Sequence, residues 1–405
     1  MNTVTESVCS WADRADENGL AAIEDWPTSQ CVDDVDALDR LVLLGLADVL
    51  ASTTAIARTG GTDMRASIES VGVCEGHRWV VERWIGEMVD AAMVEVLEDG
   101  RVRLAERPRR GELTSARERM VEACTRMGYS AALPNLLLDS LRHAVDMLRG
   151  RVSVQAILYP DGDGEASLEV YGGNVVSRYL NAAAASVVTD LADVRGAPLR
   201  ILELGAGVGA TSEPILQALG PGALSNYVFT DVSPHVLRIA RERFADRPWT
   251  DALTFATLDI TETLTDQLAD RTGNCEGYDI VLAATMAHNA IDVDALLRES
   301  AGLLAPGGIV VLIETVVEHA QSLTTMPFAL STPNGSGPPA RTDVRAGSHR
   351  TYLTAREWTD AFTRAGLRPC IDLPRDGDPL EAFSQRLLVA IRSDAPTTHA
   401  EATGT

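Results

Sequence analysis

ILELGAGVGATSEPIL, residues 201–216, is the stretch on which the reading of this chain turns. An apolar run ends at the acidic Glu203, and Gly205, Gly207 and Gly209 alternate with Ala206 and Val208 before a helical pattern begins. Glycine permits a sharp turn and lets a ligand approach the backbone, while a helix N-terminus offers unpaired N–H groups. The spacing is GxGxG, not the GxGxxG of a dinucleotide fold. Outward from it, short apolar runs alternate with helical patterns from Leu199 on. LRILEL, NYVFTD, LTFATLD, YDIVLAA and GGIVVLIE are interleaved with TSEPILQAL, PHVLRIARERF and VDALLRESAGLL. That alternation predicts βαβ units, hence an α/β fold with a Rossmann-like parallel sheet and helices on both faces.

Acidic residues recur at the predicted strand ends. Asp231 closes NYVFTD about twenty residues past the last glycine, where a carboxylate can take both hydroxyls of a ribose. Asp259 closes LTFATLD, placed for an adenine amino group. His288, in ATMAHNA, and Glu314, in VVLIETV, fall at or just past the ends of two strands expected to be neighbours, about 4.8 Å apart, where open α/β sheets place their ligands.

The whole series resembles the class I S-adenosylmethionine (SAM)-dependent methyltransferases. ILELGAGVGATSEPIL, YVFTDVSPHVLRIARERF, YDIVLAATMAHNAIDVDALLRESAGLLAPGGIVVLIE and the upstream EVYGGNVVSRYLN resemble in particular the C-methyltransferase domains of polyketide synthases, over residues 130–392. The resemblance implies SAM as cofactor, with Glu203, Gly205, Gly207 and Gly209 at its methionine part, Asp231 at the ribose, Asp259 with Leu258 at the adenine, and Ala283 among the cofactor-binding residues. It implies a catalytic dyad of His288 and Glu314. It also directs Tyr171, Asn174 and Tyr179 of the upstream helix toward the substrate, with Met286 and Asn289, which stand where the family carries smaller residues.

Carbon between two carbonyls must lose a proton before it can accept a methyl group, and a histidine oriented by a carboxylate suits that step. The expected function is C-methylation of an enolisable carbon on a carrier-bound or free small molecule in a biosynthetic pathway. An O- or N-methyltransferase using the same dyad is the alternative. A dehydrogenase is disfavoured by GxGxG, and a scaffold without turnover by the dyad. The family's domains are embedded in megasynthases, whereas this chain reads as free-standing, so its acyl substrate is expected in trans.

Composition bounds the partners. The chain has 405 residues with 35 basic against 58 acidic side chains, a formal charge of −23. Such a balance opposes nucleic acid and anionic membrane, because polyanion binders gain affinity from basic patches. Every basic residue is arginine, which removes a P-loop lysine, a Schiff-base lysine and a lysine general base. Six cysteines without CxxC or a Cys/His cluster signal neither a disulfide framework nor a metal site. No apolar run approaches the ~18 residues of a membrane span and the N-terminus lacks a signal core, so a cytoplasmic location is expected.

The N-terminal third shows helical spacing at 38–53 and 76–97, then EVLEDGRVRLAERP, a hairpin around Asp99-Gly100. Residues 1–115 read as a mainly helical, winged-helix-like domain acting as a lid or dimerisation module, so a homodimer is compatible. RPRRGELTSARER (107–119) reads as a hinge, 116–195 as a helical linker and substrate cap, 196–393 as the SAM-binding core, and 394–405 as a flexible tail. Among the other histidines, His319 and His349, flanking a Pro/Gly/Thr-rich insertion at 321–349, are cavity candidates; His77, His143 and His235 read as structural. The calcium-like run at Asp161 has Gly172 where the twelfth-position glutamate belongs.

Overall fold

The computed structural model describes residues 3–58, 60–158, 172–273, 276–331 and 337–392; Tyr171, the run at Asp161 and the tail at 394–405 lie outside them. The N-terminal part consists of α1 (Thr3–Ala21), α2 (Cys31–Thr53), α3 (Met64–Val71), α4 (Arg78–Asp90), the strands β1 (Val94–Val96) and β2 (Val102–Leu104), α5 (Arg110–Arg126), α6 (Ala132–Leu148) and α7 (Val154–Leu158). β1 and β2 pair antiparallel with Val94 opposite Leu104, the hairpin expected around Asp99-Gly100.

The stretch 107–119 is not a hinge. From Arg110 on its charges ride on the outer face of α5, while Ala116, Met120, Ala123 and Cys124 form a buried stripe at helical spacing. That stripe packs on α2, and Arg126 Nε donates to Asp34 Oδ1 at 3.0 Å across the same contact.

Downstream follow α8 (Val175–Arg195), β3 (Leu199–Leu204), α9 (Ser212–Leu219), β4 (Leu224–Asp231), α10 (Pro234–Phe244), β5 (Leu253–Thr257), α11 (Leu264–Thr272), β6 (Tyr278–Ala284), α12 (Val293–Leu303), β7 (Leu304–Thr315), α13 (Met326–Leu330), α14 (Ala355–Arg364), β8 (Leu367–Leu373) and β9 (Gln385–Arg392). The strands form one seven-stranded sheet in the order β5-β4-β3-β6-β7-β9-β8. Six strands run in one direction, and β9, between β7 and β8, runs antiparallel to both.

Alternate residues of each strand serve two cores, as the period of two requires. Ile201, Phe229, Ile280, Leu282, Val311 and Val389 face a core shared with the N-terminal helices. Leu202, Val228, Val281, Ala283, Leu312 and Leu388 face the other, built with α11, α12 and α14. The N-terminal helices are therefore one wall of the sheet's own core. α1 lies along α8, where Asn18 Nδ2 donates to Ser186 Oγ at 2.8 Å and Tyr179 Oη to Asp16 Oδ1 at 2.6 Å. No helix among the described residues is long and apolar enough to cross a membrane.

Candidate functional site

Where β3 ends, the glycine loop turns the chain beneath α9. Gly207 and Gly209 have φ of +58° and +86°, in the left-handed region. A Cβ on Gly209 would lie 2.6 Å from the Phe244 ring, whereas one on Gly207 would meet nothing within 4 Å. Gly209 is thus needed for packing, and Gly207 leaves its backbone open to the cavity beside it.

That cavity, about 580 Å³, lies at the C-terminal edge of β3, β4 and β6. Glu203, Gly205, Gly207 and Asp231 line it, together with Ala206, Asn181, Thr285, Met286, Asn289 and Gln385. Such a volume suits a cofactor-sized molecule.

Two carboxylates face this space in different surroundings. Glu203 is 1 % exposed, and its Oε2 accepts from Ser212 Oγ at 2.5 Å and Tyr227 Oη at 2.6 Å. Burial raises its pKa to about 7, although both hydroxyl bonds favour the charged form. Asp231 accepts from Gly207 N at 3.1 Å and Ser233 N at 2.8 Å. Burial also raises its pKa, against the opposing effect of those amides.

Around the β6 and β7 ends, His288 and Glu314 meet. His288 Nδ1 lies 2.7 Å from Glu314 Oε2; the residues are 4 % and 0 % exposed. Glu314 Oε1 accepts from the amides of Met286 and Ala287 at 3.1 and 2.7 Å, and the imidazole packs T-shaped against Tyr352 with ring centroids 4.8 Å apart. Neither side chain lines the 580 Å³ cavity, but Met286 and Asn289, flanking the histidine, do. Thr285, just upstream, is held at φ +52° and its N–H donates to Ile313 O at 2.6 Å. This places a non-glycine residue in a strained conformation at the cavity wall.

Other expectations need correction. Ala283 points into the core opposite, and Ala284 lines the cavity instead, because one position along a strand reverses the face. Tyr179 faces α1 rather than a substrate. Asn174 is the N-cap of α8, accepting from Ser177 N at 2.9 Å. Leu258 is buried and Asp259 Oδ1 accepts from Thr261 within its own loop, both outside the cavity lining. His319 is not a cavity residue: it bridges Asp39 of α2 and Ser384 before β9, with both contacts 2.8 Å. His349 packs against Trp79, also away from the cavity. Conversely His235, read as structural, lines the cavity beside Ser233. Its position just past Asp231 was the available signal.

Residues 202–310 match the family model for a methyltransferase domain. Pyochelin synthetase PchF of Pseudomonas aeruginosa is 26% identical over 361 residues, covering 88% of this chain and 19% of that protein. Polyketide synthase ThaG of Burkholderia thailandensis is 31% identical over 300 residues, 72% of this chain and 5% of that protein. The chain thus spans under a fifth of the length of either relative. Among solved structures, the CurJ carbon methyltransferase superposes with a TM-score of 0.81 at 20% identity, covering 95% of this chain and 99% of that one. The chain has the class I methyltransferase fold and is a methyltransferase that uses SAM.

Proposed function

We propose that the chain methylates an enolisable carbon of a small molecule, carrier-bound or free, in a biosynthetic pathway, with His288 as general base and Glu314 as the group that orients it. The observation that carries this reading is the buried 2.7 Å contact between His288 Nδ1 and Glu314 Oε2, set between two cavity-lining residues. With Glu314 as acceptor, Nδ1 keeps its proton and Nε2 keeps a lone pair. A heteroatom acceptor can react on positioning alone; a carbon acid needs the base. The fold shared with a carbon methyltransferase supports the same choice.

The cavity residues fit the cofactor. Gly207 leaves room where a side chain would intrude, Asp231 offers a carboxylate on the β4 end, and Glu203 offers a second one deeper in. When bound, SAM supplies an electrophilic methyl carried on a sulfonium. Asp231 would hold the ribose hydroxyls and Glu203 the ammonium of the methionine part. An adjacent cation favours the ionised form of Glu203, so binding below about pH 7 releases a proton. Ala284, Met286 and Ile313 present apolar atoms to the cavity, limiting water around the reacting carbon.

The test uses wild-type enzyme, S-adenosylhomocysteine and the acetoacetyl thioester of N-acetylcysteamine in heavy water. Enolate formation does not need the methyl donor, so the carbon between the carbonyls should exchange its hydrogen for deuterium faster than in buffer. With SAM, mass spectrometry and NMR should locate the new methyl on that carbon. No enzyme-dependent exchange, together with methyl on oxygen or nitrogen, overturns the proposal.

A further inference from the structure

His288 occupies a turn of only three residues, Ala287–Asn289, and such a turn does not by itself fix an imidazole. Opposite charges hold its two edges. Glu314 takes the amides of Met286 and Ala287, as described above. On the carbonyl side two guanidinium groups converge. Arg341 Nη1 donates to His288 O at 2.7 Å and to Ala290 O at 2.9 Å. Arg345 Nη1 donates to the same His288 O at 2.6 Å, and its Nη2 to Ala290 O at 2.9 Å.

Both arginines are buried, Arg345 completely. Arg345 is neutralised by Asp343, with Nη2 to Oδ2 at 2.5 Å, and Asp343 Oδ2 also accepts from Val293 N at the start of α12. Arg341 has no carboxylate partner among the described residues, and its Nη2 is buried without a hydrogen bond there. Burial, with Arg345 beside it, pulls the Arg341 guanidinium down to about 10, so it stays cationic at neutral pH. A buried cation with no carboxylate in direct contact is costly even with the charges of Asp343 and Glu318 nearby, and an apolar side chain of similar volume fills such a place at less expense. The packing of the fold does not account for the charge; the two carbonyls it grips do.

We propose that Arg341 and Arg345 are positioning residues: a guanidinium clamp on the carbonyls of His288 and Ala290 that fixes the imidazole and the intervening Asn289 against the cavity. This rests on the reading of His288 as general base. The clamp reaches the turn from the 337–353 segment, so that segment controls turnover without lining the 580 Å³ cavity.

Arg341→Met tests it. The variant removes the unpaired cation yet keeps a chain of similar reach, so its Tm should equal or exceed that of the wild type and its Kd for S-adenosylhomocysteine should stay within about twofold. kcat with SAM and the acetoacetyl N-acetylcysteamine thioester, and deuterium exchange into that thioester, should fall together by roughly 10- to 100-fold, the scale of a misplaced catalytic group. Arg341→Lys, which restores a cationic donor, should recover most of both while KM for the thioester stays near wild type. Wild-type kcat and exchange in Arg341→Met overturn the clamp. If Arg341→Met does not fold, Arg341→Gln answers the same question. Absence of exchange in the wild-type enzyme is the separate result that removes the base itself, and the clamp with it.

Discussion

Glu203 is where pH should act on this fold most measurably. It is a carboxyl in full burial whose pKa rises from the ordinary 4.5 to about 7, desolvation outweighing the bonds from Ser212 and Tyr227. The fold therefore holds this proton more tightly than the unfolded chain does. Its stabilising effect is complete below pH 4.5, declines as pH rises, and is gone above about pH 7. At about 1.36 kcal/mol per pH unit, the whole interval amounts to about 3 kcal/mol. Glu203→Gln is the neutral mimic at every pH. Urea unfolding of both proteins at pH 5 and pH 8 should show the gap between them widening by about 2–3 kcal/mol, in favour of the variant at pH 8. All other titrations are common to the two proteins and cancel. Saturating S-adenosylhomocysteine should narrow the gap, since its ammonium favours the charged carboxylate. Parallel stabilities at the two pH values, or a wild type that gains on the variant as pH rises, would refute the burial argument.

Three further outcomes are expected. Asp231→Ala should weaken S-adenosylhomocysteine binding by roughly 2–3 kcal/mol through loss of charge-assisted hydrogen bonds, measured by calorimetry. His288→Ala should lower kcat by roughly 10² to 10⁴ with cofactor affinity almost unchanged, since general-base catalysis contributes about that much; full activity would leave the histidine without its role. Deleting residues 1–115 should give a chain that fails to unfold cooperatively in urea, because the cut passes through α5 and strips one wall from the core that includes Ile201, Phe229 and Val311; a cooperative transition with normal S-adenosylhomocysteine binding would show the N-terminal part to be separable.

The parallel strands and the glycine loop are legible in the sequence because the strands are short apolar runs, most of them stopped by a glycine or an acid, the pattern of a sheet covered on both faces. The resemblance singles out His288 and Glu314, and the strand pattern supports their meeting, since strand ends in such a sheet converge on one edge. What the sequence conceals has physical causes. β8, LRPCIDL, is interrupted by Pro369, tolerated because β8 is the sheet's edge strand, with a register shift at that point. α5 is hidden by its arginines and glutamates, which outnumber the four small or apolar residues it buries. Asn174 is taken up in capping α8, and Tyr179 lies on a face of that helix set by α1, whose weak patterning gives no notice of the contact. Ala283 fails by a single position. Arg341 and Arg345 lie more than 50 residues from the turn they hold, in a Pro/Gly/Thr-rich stretch with no periodicity to announce them.

The contact between α1 and β8 bears on how this chain is made. Arg375, just past β8, pairs with Asp13 and Asp16 on α1, joining residues separated by as many as 362 positions. During synthesis at about 5–20 residues per second, α1 emerges roughly 20–70 s before that partner exists. α8, its longer contact, appears midway, so the first helix must wait beside the ribosome with the face it packs on α8 uncovered. Closing so long a loop is slow, and the half-built sheet exposes unpaired edges meanwhile. The sheet therefore stays open until β9 inserts between β7 and β8 and closes its last gap.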